Sequence, residues 1–209
     1  PLVEGTATGA AAGGSYRVNL HPPSELQALE EAFGPFRRES VELAVSPQSD
    51  AFWHPMRAKN RRGEVVLVLQ PEPGQVLVHT KAFYPPGTYR LPTGGILPGE
   101  AVLEALRREA AEEIGLSVEP ERFLGLVEYR FRRGAEEATF ASWAFLLRPV
   151  GQVTARVRDA SEQIAEFRTV PVDDLPRIAA QLRALPFPWT DWGHFRAVVH
   201  DLVARELGK

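Results

Sequence analysis

The sequence predicts an α/β (α+β) fold, a mixed β-sheet flanked by helices, and three observations carry that reading. Apolar runs of strand length alternate with turn residues, one strongly amphipathic helix lies between two groups of strands, and helical periodicity returns at the C-terminal end. In chain order, Ser24-Glu25-Leu26-Gln27 opens a helix running through Phe33 and ending at Gly34-Pro35. Val41 to Val45 alternates apolar and polar residues, as a strand does, while Ser46 to Asn60, with two prolines, reads as irregular. Val65 to Leu69 and Val76 to Val78 flank the turn signal Glu72-Pro73-Gly74 and predict a hairpin of buried strands. A Pro/Gly/aromatic loop, Lys81 to Tyr89, leads into Leu91-Pro92-Thr93-Gly94-Gly95.

Residues 100–114 form the clearest helix. Val102, Leu103, Leu106, Ala110 and Ile114 share one face, and Gly115 stands where a left-handed cap belongs. Strands follow at Phe123–Phe131 and Thr139–Leu147, joined by the polar loop Arg132 to Ala138. A strand near Ile164–Val170 then precedes a helix from Val172 to about Leu182. From Trp189 to Leu207, Trp192, Phe195, Val199, Leu202 and Val203 recur at helical spacing, and their aromatic members read as core packing. These patterns divide the chain into a flexible Gly/Ala-rich tail (1–14), an N-terminal extension (15–60) and a main domain (61–209).

Composition narrows the function. With a formal charge of −3, the 209-residue chain has no global basic field to hold nucleic acid by its phosphates. It has no cysteine, which excludes disulfides, thiolate metal sites and a cysteine nucleophile. No apolar run reaches the roughly 18 residues of a membrane span, and the first residues lack the pattern of a signal peptide. The expectation is a cytoplasmic protein with neither membrane nor nucleic-acid partners.

The chemistry concentrates on the 100–114 helix. At 100° per residue, Glu109, Glu112 and Glu113 span an arc of about 100° and project to one side. Like charges at this spacing cost roughly 0.2–0.5 kcal/mol per pair, and the C-terminal turn is where the helix dipole disfavours them. A solvated acidic face is one reading; a site for a hard divalent cation, which takes oxygen ligands, is the other.

The surrounding spacing decides between them. Gly94, five residues, Glu100, seven residues, Arg108-Glu109, two residues, Glu112-Glu113, one residue, then Gly115-Leu116 resembles the signature of the Nudix hydrolases. All its fixed Gly, Glu and Arg positions match, and the one departure is Ala110 at an apolar position. The resemblance implies a Nudix-type α/β/α sandwich binding Mg²⁺ or Mn²⁺ through Glu109, Glu112 and Glu113. Water would attack phosphorus in a nucleoside diphosphate linked to another group. Glu112, Glu113 and Arg108 would be catalytic, with Arg108 orienting Glu112 or Glu109 by a charge-assisted hydrogen bond.

In some members of this family the general base is a glutamate of this signature (the box, residues 94–116), and in others an acidic residue far downstream. Asp159, Glu162 and Glu166 lie in the corresponding stretch, and Glu162 is the favoured one. Gly94 and Gly95 let the backbone approach phosphate. Arg90 or Lys81 is expected to meet a phosphate, and Tyr129, Phe83, Tyr84 or Phe131 to stack on a base, with packing the competing reading for each. The five histidines lack metal-ligand spacing and receive no role. The expected partner is a small nucleotide-like molecule. Extensions like residues 15–60 build a dimer interface in some similar proteins, so a homodimer is a further expectation. A non-catalytic nucleotide-sensing module is the alternative. An isomerase of the isopentenyl-diphosphate type would need a catalytic cysteine, which is absent.

Overall fold

The computed structural model describes residues 21–58, 61–151 and 163–208. Its frame is a five-stranded mixed sheet in the order β1 (Arg37–Ala44), β5 (Val118–Arg133), β6 (Glu136–Pro149), β2 (Glu64–Leu69) and β4 (Thr93–Gly95). The pairs β1–β5 and β2–β6 are parallel, whereas β5–β6 and β2–β4 are antiparallel. A second, two-stranded sheet joins β3 (Gln75–Lys81) to β7 (Ile164–Pro171).

Strand alternation sorts the core into two layers. Val66 and Val68 of β2 face one cluster, and Val65, Leu67 and Leu69 face the other. The first layer includes α4 (Leu175–Arg183) and α5 (Thr190–Leu207); the second includes α1 (Pro23–Phe33) and α3 (Val102–Glu109). Helices therefore cover both faces of a mixed sheet, as the patterning predicts.

Several elements depart from the sequence reading. Ser46 to Asn60 is not irregular throughout, because Asp50–Ala58 forms a helix, α2, despite Pro55 inside it. Burial of Phe52 and Trp53 in the core holds that helix, so tertiary packing overrides local propensity. Within residues 21–58, β1 is an edge strand of the main sheet, and Glu25 of α1 accepts from the Val102 amide that opens α3 at 3.1 Å. The 100–114 helix is α-helical only to Glu109, and Ala110–Ile114 makes a π-helical turn. Gly115 caps it at φ 68°, the left-handed conformation that favours glycine.

His200 fastens α5 to the segment that leads into β4. Its Nδ1–H donates to the Arg196 carbonyl at 2.7 Å, and its Nε2 accepts from the Leu91 amide at 3.0 Å. Burial pushes this imidazole down to about 4, and the Arg90 and Arg196 charges act in the same direction. The unfolded chain, with histidine near 6.5, takes up the proton first as pH falls. The contribution of neutral His200 is therefore whole above pH 6.5 and is lost progressively toward pH 4, on the order of 3 kcal/mol. The melting temperature is expected to drop over this window, and less steeply in His200→Gln. Equal slopes for the two proteins would contradict the assignment.

Candidate active site

The box begins on β4 and ends on the π turn, so its two ends meet across a short loop. Arg108 ties them together, with Nε and Nη2 donating to the Glu100 carboxylate at 2.8 and 2.9 Å. Nη2 also donates to the Gly95 carbonyl at 2.9 Å, and Nη1 to Glu109 and Glu112 at 2.8 and 3.0 Å. One planar guanidinium thus serves four acceptors, a use that lysine geometry does not allow. The hydrogen bonds from Arg108 hold the Glu100 carboxyl below its ordinary range. Arg108 accordingly fixes Glu100, Glu109 and Glu112 relative to the Gly95 backbone.

All three box glutamates line a cavity of about 510 Å³. Glu109 and Glu113 are buried at 7% and 3% exposure, while Glu112 is exposed. Glu109 packs on the backbone of Gly94, where an added Cβ would stand 2.0 Å from the Glu109 carboxyl carbon. At Gly95 an added Cβ would meet the Arg61 guanidinium at 2.3 Å. Lys81 of β3 donates to Glu113 at 3.2 Å.

This donor set suits a hard divalent cation by its chemistry, though not by its spacing in this structure, on two grounds. It consists of carboxylate oxygens only, and the Gly94 cradle seats Glu109 in a space that no side chain at that position could share. In the present arrangement Lys81 and Arg108 take up the carboxylate charge. Among the described residues no three His, Asp or Glu side chains are grouped closely enough to hold an ion.

The remaining lining comes from segments to which no such role was given. Ala51, Phe52, Pro55 and Met56 of α2 contribute, and so do Trp189, Trp192 and Arg196 at the start of α5. Trp189 and Trp192 form an aromatic cluster with Tyr84, with ring centroids 4.9–5.7 Å apart. Glu64, the first residue of β2, also faces the cavity. One signal for Arg196 was legible: it lies four residues after Trp192 and four before His200, on the apolar face of α5.

The other expected site residues are placed as follows. Arg90 lines the cavity but is buried, donating to Tyr84 Oη, the Leu91 carbonyl and Thr93 Oγ1 at 2.8–3.1 Å. Tyr129 requires correction as a substrate contact. It is 2% exposed, stacks on Phe131 and abuts Phe195 in the core, and does not line the cavity. Its strand alternation turns that face toward α5. Glu162 and Asp159 lie outside the described residues. Glu166 accepts from Tyr89 Oη at 2.7 Å and does not line the cavity. His79, to which no role was given, is fully buried with Nδ1 3.7 Å from Glu113 Oε2. Burial pushes its imidazole well below the usual histidine range, and Arg90, Lys81 and Arg196 add to this.

Comparison with known proteins gives three relationships and one family. The chain is 39% identical over 90 residues to the 8-oxo-dGDP phosphatase NUDT18 of Mus musculus and 37% identical over 90 residues to its namesake in Homo sapiens. Each alignment covers 43% of this chain and 26% of the relative, so the chain spans about a quarter of the length of these curated relatives. Among solved structures it is similar to a MutT NUDIX hydrolase from Burkholderia pseudomallei, with 22% identity and a TM-score of 0.47. That similarity covers 68% of this chain and 97% of the other. The family match, to the NUDIX domain, runs over residues 59–192. It spans well over half of the chain and encloses the whole glutamate-bearing segment, and so this protein belongs to the NUDIX family.

Proposed function

We propose that this cavity hydrolyses a diphosphate linkage in a nucleoside diphosphate joined to another group, with Mg²⁺ or Mn²⁺ held by Glu109, Glu112 and Glu113. The observation that carries the reading is the composition of one cavity. Its box side has three carboxylates among Arg61, Lys81 and Arg108, and the rest of its lining is rich in aromatic and apolar side chains from α2 and α5. A diphosphate suits the former and a base the latter.

A bound divalent ion would neutralise phosphate charge and make a water more acidic. The chain's own residues would do the rest. Gly94 and Gly95 admit phosphate oxygens close to the backbone, and Lys81 and Arg61 offer charge to them. Arg108 keeps Glu109 and Glu112 oriented between turnovers. For the proton of the attacking water, the candidates are Glu112, exposed at the cavity, and Glu162, favoured from its place before β7. The names of the NUDT18 relatives put 8-oxo-dGDP among the first substrates to try. We place the reaction in the cytoplasm. Among the described residues no helix is long and apolar enough to cross a membrane.

The test is a panel of nucleoside diphosphates, nucleotide sugars, dinucleoside polyphosphates, ADP-ribose, coenzyme A and NADH, assayed with Mg²⁺, with Mn²⁺ and with EDTA. Metal-dependent turnover of at least one nucleoside diphosphate derivative is expected, with loss of turnover in EDTA. Silence across the panel would overturn the reading in favour of a nucleotide-binding module without catalysis.

A further inference from the structure

Glu64 and Arg196 form an ion pair in the lining of the cavity, 132 residues apart in sequence. Arg196 Nη1 donates to both Glu64 oxygens at 2.7 and 2.6 Å, and Ser142 Oγ donates to Oε1 at 2.8 Å. The Glu64 side chain is 6% exposed and that of Arg196 is 14%. The guanidinium carbon stands 4.7 Å from the Phe195 ring centroid and 5.9 Å from that of Trp192. Its Nε is buried and has no hydrogen-bond partner among the described residues.

As a fastening between α5 and β2 this pair is a poor device. Two desolvated charges gain little over apolar residues of the same volume, and a buried donor left unmade costs further. As a recognition element it is well placed. Glu64 lies directly opposite Gly95 in the β2–β4 register, so a ligand holding the box by its phosphates has its next groups within reach of the pair. Phe52 and Met56 of α2 and Trp192 of α5 supply flat or apolar lining to the same cavity. Phe52 and Met56 lie before the segment matched by the family, and Arg196 lies after it.

We infer that Glu64 and Arg196 read the hydrogen-bonding edge of a purine base and select guanine over adenine, which rests on the nucleotide reading proposed above. A carboxylate only accepts and a guanidinium only donates. Guanine offers two adjacent donors, N1–H and the exocyclic amine, beside the O6 acceptor. Glu64 takes the donors in exchange for the bonds it now accepts from Arg196, and the released guanidinium N–H groups supply the acceptor's partner. Adenine presents an unprotonated N1 toward the carboxylate and offers no pair of donors to make that exchange.

The test is calorimetric binding of the α,β-methylene analogues of GDP, IDP and ADP, which resist cleavage at that linkage, to the wild type and to Glu64→Gln. The wild type is expected to prefer the guanine analogue over the adenine analogue by about tenfold or more, with the inosine analogue, which lacks the exocyclic amine, in between. Glu64→Gln is expected to weaken guanine binding about tenfold and adenine binding less than about twofold. Arg196→Lys keeps the charge but loses the fork, and should also narrow the preference if Glu64→Gln proves unstable. Equal affinities for all three analogues in the wild type, or equal losses for all three in the variants, would overturn the inference while leaving the proposed reaction standing. Absence of binding by any analogue, together with a silent substrate panel, would overturn both.

Discussion

Glu113→Gln is expected to lower turnover by about 10³-fold while the melting temperature stays within a few degrees of the wild type. The magnitude follows from removing one anionic oxygen ligand from a site asked for several kcal/mol of transition-state stabilisation, at 1.36 kcal/mol per tenfold. The fold should survive because the amide keeps the shape of the side chain and its oxygen can still accept from Lys81, now paired with Glu113 at 3.2 Å. Steady-state kinetics alongside thermal melts separates the two effects. Wild-type turnover in a folded variant would remove Glu113 from the site.

Gly94→Ala is expected to cost on the order of 10²-fold in turnover, the penalty of displacing a catalytic group by about an ångström. The backbone at Gly94 has no left-handed strain, so the effect is one of space alone. A Cβ there would lie 2.0–2.1 Å from the Glu109 carboxyl atoms, and the flexible end of that side chain must swing away. The stability change should be about 1 kcal/mol, since a side chain moves rather than a strand. Unchanged activity would mean that the position of Glu109 against the loop is immaterial to the reaction.

Much of the fold was legible because it is written locally. The continuous apolar run Val65–Leu69 records a strand buried on both faces, and the apolar stripe from Val102 to Ile114 records which face of its helix is buried, each within one element. The parts that were not legible depend on distant partners. β4 has three residues and exists by pairing with β2, and α2 is held by burial of Phe52 and Trp53. Local alternation also cannot say which face of a strand meets a cavity, and this is why Tyr129 belongs to the core instead. The candidate site divides along the same line. Its glutamates and Arg108 sit within a single helical segment and could be read from spacing. Glu64, Trp192 and Arg196 come together only when β2 and α5 pack, and nothing between residues 64 and 196 signals that meeting.

If this cavity uses a divalent ion to cleave a phosphorus–oxygen bond of a nucleoside diphosphate, the oxygen of the attacking water ends on phosphorus. The most direct measurement takes the preferred substrate of the panel in ¹⁸O-labelled water with Mg²⁺ and determines product masses, repeated in EDTA. One ¹⁸O on a single phosphate-bearing product and no product in EDTA are expected. Label on a product carbon or undiminished turnover in EDTA would contradict it.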